Sequence, residues 1–350
     1  MTPERQSELV KAFTFQAEAC EGLAAPFKGA VIAHLARGIE AGGPWAELVA
    51  DFEGEPLAAA LALRLFGALH RLAAEGSVPA LAEVFRQRTL ERAVHGPAID
   101  AALPSGRAVF EAYLGRAVQT NEVMRSAALA PAYLAAAAGR GLPLRCLEIG
   151  ASAGLNLNWP FYAYRFGDAR WGPADSPLTL APDWQGPPPP LEPVEVVARA
   201  GCDVNPIRLD DPDQRARARS YIWPDQDGGE RLARFEAAAA LAARHPPPLE
   251  ERDAGAFLAR ELAEPAPGRL TIVAHSIVWQ YLSRETRAAA EAALARAGAA
   301  ASPKAPLAHV RLEPHPETFR FELRLTEWPG GTERLLGEAH PHGRWVKWTG

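Results

Sequence analysis

The stretch LRCLEIGASAG, residues 144–154, most constrains what this chain can fold into. Leu144, Cys146, Leu147 and Ile149 form an apolar run of strand length, and Gly150 and Gly154 break it at once. A short, nearly continuous apolar run that ends in a glycine turn reads as a strand buried on both faces, inside a sheet covered by helices on either side. The segments that follow agree. VEVVARAGCDVNPI reads as a second strand and turn, GGERLARFEAAAALAARH as a helix, and LEERDAG as a short strand with its turn. LTIVAHSIVW is a strong strand, RETRAAAEAALARAG a helix, and LAHVRLEP another strand. Alternating strands and helices imply parallel pairing with right-handed crossovers. FRFELRLTEW and ERLLGEAHPHGRWVKW are strand-like and joined by Pro-Gly-Gly, which predicts a C-terminal antiparallel hairpin.

Residues 1–118 have a different character. PERQSELVKAFTFQAEAC, PFKGAVIAHLARGIEAG and EPLAAALALRLFGALHRLAAEG carry apolar residues at helical spacing, and the latter two end at glycines. Leu61, Leu65, Leu69 and Leu72 share one face of the third. This part reads as a helical cap or an oligomerisation element, so a homo-oligomer is one expectation. Residues 119–350 form the α/β part. It opens with the helix in TNEVMRSAALAPAYLAAAAGRG and is interrupted at about 158–193 by a loop-rich insertion that holds the run PPPP.

Composition removes several function classes. A formal net charge of −5 with no long basic run argues against an electrostatic nucleic-acid binder. The most apolar stretch, SAALAPAYLAAAA, is too short and too alanine-rich to span a bilayer, and MTPERQSELVKAF lacks a signal-peptide core. Cys20, Cys146 and Cys202 are few, odd in number and far apart, which fits a reducing compartment and gives no metal-ligand spacing. The expectation is a cytoplasmic protein that acts on a small molecule, without nucleic acid or membrane.

The chemistry gathers at the predicted strand ends. Glu148-Ile149-Gly150-Ala151-Ser152-Ala153-Gly154 combines an acid with a glycine-spaced turn, where positive φ lets main chain approach a ligand. A helix after such a turn offers free N–H groups to an anion. GCDVNP, 201–206, puts Asp203 at the end of the second strand, placed to accept from ribose hydroxyls, with Asn205 and Pro206 suited to start a helix. Asp253 follows the third strand. His275 and Ser276 end the fourth, where open α/β sheets bind ligands, and Trp279, Gln280 and Tyr281 follow as cavity candidates.

On these residues, 145–340 resemble the class I S-adenosylmethionine-dependent methyltransferase fold. The whole chain also resembles a bacterial family catalogued only as a domain of unknown function. The first resemblance implies a Rossmann-like, seven-stranded sheet ending in an antiparallel hairpin, with a helical N-terminal region. It implies S-adenosylmethionine as cofactor and an O or N nucleophile of a small molecule as methyl acceptor. Glu148, Gly150, Ala151, Ser152 and Gly154 would hold the methionine end, Asp203 the ribose and Asp253 the adenine, beside Ser276. His275 would be the base. Ser152 stands where the family has its middle glycine.

Rival readings remain. Gly150-Ala151-Ser152-Ala153-Gly154 also fits a hydrolase elbow, with Ser152 as nucleophile and Asp253 and His340 or His342 as partners. The helical character before residue 144, and the absence of an oxyanion segment of the HGG type, oppose it. A non-catalytic nucleoside-binding module on the same fold is the third reading. SYIWPDQ, 220–226, either closes over a nucleoside with Asp225 and Gln226 or packs as a loop. His340 and His342 suggest a turn rather than a metal pair, because no acid or cysteine lies close in sequence. Asn121, Glu122 and Arg125 either cap a helix or meet the ligand loop.

Overall fold

The computed structural model describes residues 1–22, 24–224 and 229–350. Their contacts divide into two compact units, residues 1–120 with 211–233, and residues 121–210 with 234–350. Among the described residues no helix is long and apolar enough to cross a membrane.

The first unit is helical: α1 (Pro3–Gly22), α2 (Pro26–Glu40), α3 (Pro44–Val49), α4 (Leu61–Glu75), α5 (Pro79–Gln87) and α6 (Arg92–Leu114). After α7 (Ser126–Ala137), which belongs to the second unit, α8 (Pro212–Ser220) returns to it. Pro26, Pro44, Pro79 and Pro212 each open a helix, where a missing N–H costs no hydrogen bond. The leucine face of α4 is buried in a core with Phe13, Phe27, Phe85 and Phe110. Tyr221 and Trp223 of SYIWPDQ lie in the same core, with Trp223 edge-on to Phe66 at 5.2 Å. Those two aromatics are therefore packing residues, while Asp225 and Gln226 lie outside the described residues.

The second unit carries β1 (Leu144–Ile149), β2 (Ala163–Phe166), β3 (Ala169–Trp171), β4 (Thr179–Leu180), β5 (Asp183–Gln185) and β6 (Val196–Asp203). Beyond α9 (Glu230–Arg244), which crosses the boundary between the units, come β7 (Leu249–Glu251), α10 (Ala254–Glu261), β8 (Leu270–Ser276) and α11 (Arg284–Ala300). The chain ends in β9 (Leu307–Pro314), β10 (Phe321–Trp328), β11 (Thr332–Ala339) and β12 (Trp345–Trp348).

The main sheet has nine strands, in the order β5-β12-β11-β10-β9-β8-β1-β6-β7. β7, β6, β1, β8 and β9 are parallel neighbours, and β9 to β12 form an antiparallel meander. The expectation of seven strands is corrected in two places. The count of seven left out the terminal strand that the turn at His340 and His342 leads into: that turn, closed by a 2.7 Å bond from the Gly343 N–H to the His340 carbonyl, separates β11 from β12. The insertion then supplies β5, which pairs parallel with β12. Nor is the insertion simply loop, because β3-β2-β4 make a small sheet that buries Tyr162, Tyr164 and Phe166.

Helices cover both faces of the main sheet. α10 and α11 pack on Leu147, Ile149, Val273 and Leu307, while α7 packs on β8, β9 and β10 from the other side. All seven residues of β8 are buried, as its apolar run requires.

Gly67 tests the first unit's packing. A Cβ there would lie 2.6 Å from the Tyr221 ring and 3.2 Å from Tyr113, both rings being fixed in the core. Alanine in mid-helix normally gains about 1 kcal/mol over glycine. Overpacking a rigid core costs about 1–3 kcal/mol, so it wins. Gly67→Ala is expected to lower the unfolding midpoint in denaturant, and a raised midpoint refutes this packing.

Candidate functional site

Strand order defines where a site belongs. From β1 the chain moves outward to β6 and β7, then returns to β8 on the opposite side of β1. The reversal makes the carboxyl ends of β1 and β8 a switch point, the crevice where open α/β sheets bind ligands.

The turn after β1 is built for tight curvature. Gly150, Ser152 and Gly154 have φ of 65°, 55° and 69°, a region that costs a serine and suits glycine. The turn is stitched to the end of β6. Asp203 Oδ2 accepts from the Ser152 N–H at 2.9 Å, and Oδ1 accepts from the Asn205 N–H at 2.9 Å. The Ala151 N–H reaches the Cys202 carbonyl at 3.0 Å, and the Ile207 N–H reaches the Ser152 carbonyl at 3.1 Å. Asp203 thus binds the first loop directly, and the two strand ends expected to share a ligand touch each other.

Two features differ from the sequence expectation. The segment after the turn is a 3-10 helix, Leu155–Phe161, rather than an α-helix, and its first N–H is taken by Asn121 Oδ1 at 2.9 Å. The helix after β6 begins at Pro212, capped by Asp211, instead of at Asn205-Pro206. The glycines also serve protein packing. A Cβ on Gly150 would fall 2.3 Å from Val278, and one on Gly154 would fall 2.7 Å from Pro247.

Beneath the turn, Glu148 points to the α7 side of the sheet and is 3% exposed. Burial pushes its carboxyl up to about 8, against the opposing pull of a hydrogen bond from Asn156 and the charge of Arg125. Among the described residues nothing bonds Glu148 Oε2 or the buried Ser152 Oγ. Asn156 is held by Ser126 at 2.7 Å. Arg125 donates to the carbonyls of Ser276 at 3.2 Å and Pro341 at 2.8 Å, tying the start of α7 to β8 and to the β11–β12 turn. Glu122 accepts from the Met124 N–H at 3.2 Å and lies 3.6 Å from His342. Of the three, Asn121 meets the end of the loop directly, Arg125 acts on Glu148 through its charge, and Glu122 caps the turn that precedes α7.

His275 ends β8 on the α11 side and is 1% exposed. Its Nδ1 is 2.6 Å from Glu313 Oε1, which also accepts from the Val278 and Trp279 N–H groups at 3.0 and 3.3 Å. The ring stacks on Trp279 at 5.1 Å. Glu313 was not singled out in the sequence, although LAHVRLEP carries His309, Arg311 and Glu313 at every second position of an otherwise apolar strand. That alternation marks one polar face.

The remaining candidates lie apart from this chemistry. Asp253 caps α10 through the Ala256 N–H at 3.1 Å and accepts from the Thr286 hydroxyl. Gln280 and Tyr281 are exposed, Tyr281 at 75%. With no described group bonded to Ser152 Oγ, that hydroxyl lacks the base a hydrolase nucleophile requires.

The fold and its strand-end loops thus define an α/β protein with a large mixed sheet and a polar site at a topological switch point. The family model described as "Uncharacterized protein conserved in bacteria (DUF2332)" matches residues 10–348, and the chain belongs to that family. No curated protein matches the chain, and no solved structure matches it.

The raised Glu148 carboxyl has a pH consequence. Between the ordinary value of 4.5 and about 8 the folded chain keeps a proton that the unfolded chain has lost, so stability falls as pH rises through this window. Glu148→Gln is expected to remove that fall, on the order of 1 kcal/mol per pH unit. Denaturant melts across the window check it, and parallel wild-type and variant profiles refute it.

Proposed function

We propose that the second unit binds S-adenosylmethionine at the β1 and β6 strand ends and acts as a methyltransferase on a small molecule with an O or N nucleophile. The observation that carries this reading is the 2.9 Å bond between Asp203 and the Ser152 amide, which brings a carboxylate and a positive-φ loop to one edge of a parallel sheet.

The residues present fit such a group. Glu148 has a buried carboxyl oxygen, Oε2, with no partner among the described residues, and an ammonium beside it would draw the carboxyl to its ionised, accepting form. Asp203 places a carboxylate at the end of β6 beside the loop, and a carboxylate is the group that accepts from ribose hydroxyls. Ser152 Oγ lies beside them as a further donor or acceptor. Asp253, committed to its cap and to Thr286, has the smallest share of the adenine end.

When bound, the cofactor supplies a methyl group on a sulfonium, already activated toward a nucleophile. The protein then has to position the acceptor and remove its proton. His275 suits the second task. Glu313 Oε1 accepts a hydrogen bond from Nδ1–H and so orients the ring, with Nε2 as the nitrogen left to take the acceptor's proton.

Calorimetric titration with S-adenosylhomocysteine is expected to show saturable binding. Asp203→Asn should weaken it about tenfold, the size expected for charge-assisted hydrogen bonds. No heat from either S-adenosylhomocysteine or S-adenosylmethionine refutes the reading. Binding with no methyl transfer to any acceptor of the amine or alcohol class favours the non-catalytic module instead.

A further inference from the structure

We propose that the cavity between α11 and strands β8–β10 binds a small molecule through a protonated amine. It measures about 550 Å³, within the range of small-molecule pockets, and His275, His309, Glu313, Trp279 and Trp328 line it.

The argument is an inventory of unused hydrogen-bonding groups. Among the described residues nothing bonds His275 Nε2, His309 Nε2 or Glu313 Oε2. Both histidines are more than nine-tenths buried, at 1% and 7% exposed. Buried polar atoms are rarely left unpaired, and three from neighbouring residues around one cavity point to a missing partner. Glu313 Oε1 accepts a hydrogen bond from His275 Nδ1–H, and in that tautomer Nε2 presents a lone pair. Burial holds the His309 pKa well below its ordinary value, so that ring is neutral. Glu313 Oε2 is a carboxyl oxygen beside them.

The cations that line the cavity are already engaged. Arg311 pairs with Glu333 at 2.5 Å, and Arg324 pairs with Glu322 and Glu333, each at 2.7 Å. What is left unmet is acceptor capacity. An ammonium brings three N–H donors and a positive charge, matched to the carboxylate and to the imidazole lone pair, in a cavity that Trp279 and Trp328 also line. A hydroxyl brings one donor. An anion would meet Glu313 and Glu291. Leu294 and Ala295 of α11 give the ligand's carbon skeleton an apolar wall.

This inference deepens the methyl-transfer reading by naming an amine as the acceptor. It rests on that reading for the role alone, because amine binding needs no cofactor. The Val278–Trp279 turn joins the two places. Its amides are held by Glu313 on the cavity side, and Val278 packs against Gly150 on the loop side.

The test is a titration of the full chain, without cofactor, by phenethylamine, 2-phenylethanol and phenylacetate. Phenethylamine is expected to saturate, to bind at least about tenfold tighter than the alcohol, and to leave phenylacetate without measurable binding. Glu313→Gln should lose most of that preference. Because Glu313 also holds the turn, Ala295→Trp is the second variant, filling the cavity from the exposed side of α11. It should lose phenethylamine binding at least about tenfold with an unchanged circular-dichroism spectrum. No saturable binding of phenethylamine, equal affinity for the alcohol, or undiminished binding by Ala295→Trp overturns the proposal. An amine that binds where S-adenosylhomocysteine does not supports the site and removes only its role as acceptor site.

Discussion

The bond from the Ser152 amide to Asp203 is the constraint on which the arrangement of the strand-end loops depends. The loop holds Ser152 at positive φ between two glycines that adopt it freely, so its strain lies at the serine and needs support there. Asp203 supplies it, reinforced by the Ala151 and Ile207 amides on either side. With the loop so fixed, Glu148 is sealed beneath it, and Gly150 stays open enough for Val278 to settle against it. The glycines of such a loop need not mean ligand approach alone. Here two of them also make room for neighbouring side chains.

Much of this was legible in the sequence because it depends on local patterns. The apolar runs at 144–149 and 270–276 are strands because both faces are covered, and a run of this kind has no other stable place in a soluble fold. The Pro-Gly-Gly turn between β10 and β11 is likewise local. Where pairing is long-range, local pattern gives nothing. The three residues of β5 carry no strand signature, and they become a strand only because β12, more than 150 residues away, offers them a free edge. The return of residues 211–233 to the helical unit has the same origin, since Tyr221 and Trp223 look like any aromatic loop until the groove beside α4 receives them.

The site was legible to a similar degree. The acid and glycine spacing located the first loop, and GCDVNP located its partner. That Asp203 would spend its oxygens on backbone amides, and that Asp253 would cap a helix, are choices made by distance and not by residue type. Glu313 was hidden because its partner His275 lies 38 positions earlier, on the neighbouring strand, and only the parallel register of β8 and β9 brings them together. That one carboxylate fixes the orientation of an imidazole and the shape of a turn.

The two borders of the main sheet share a property with a bearing on solubility. β5 ends one border and runs into Gly186 and the four prolines at 187–190, while β7 ends the other and emerges from the prolines at 246–248. Proline has no N–H to give a foreign strand, and each outermost strand is only three residues long. A wide, twisted layer of this kind would otherwise invite growth by strand addition. Its margins are instead chemically blunt, so the molecule carries its own protection against fibre-like association.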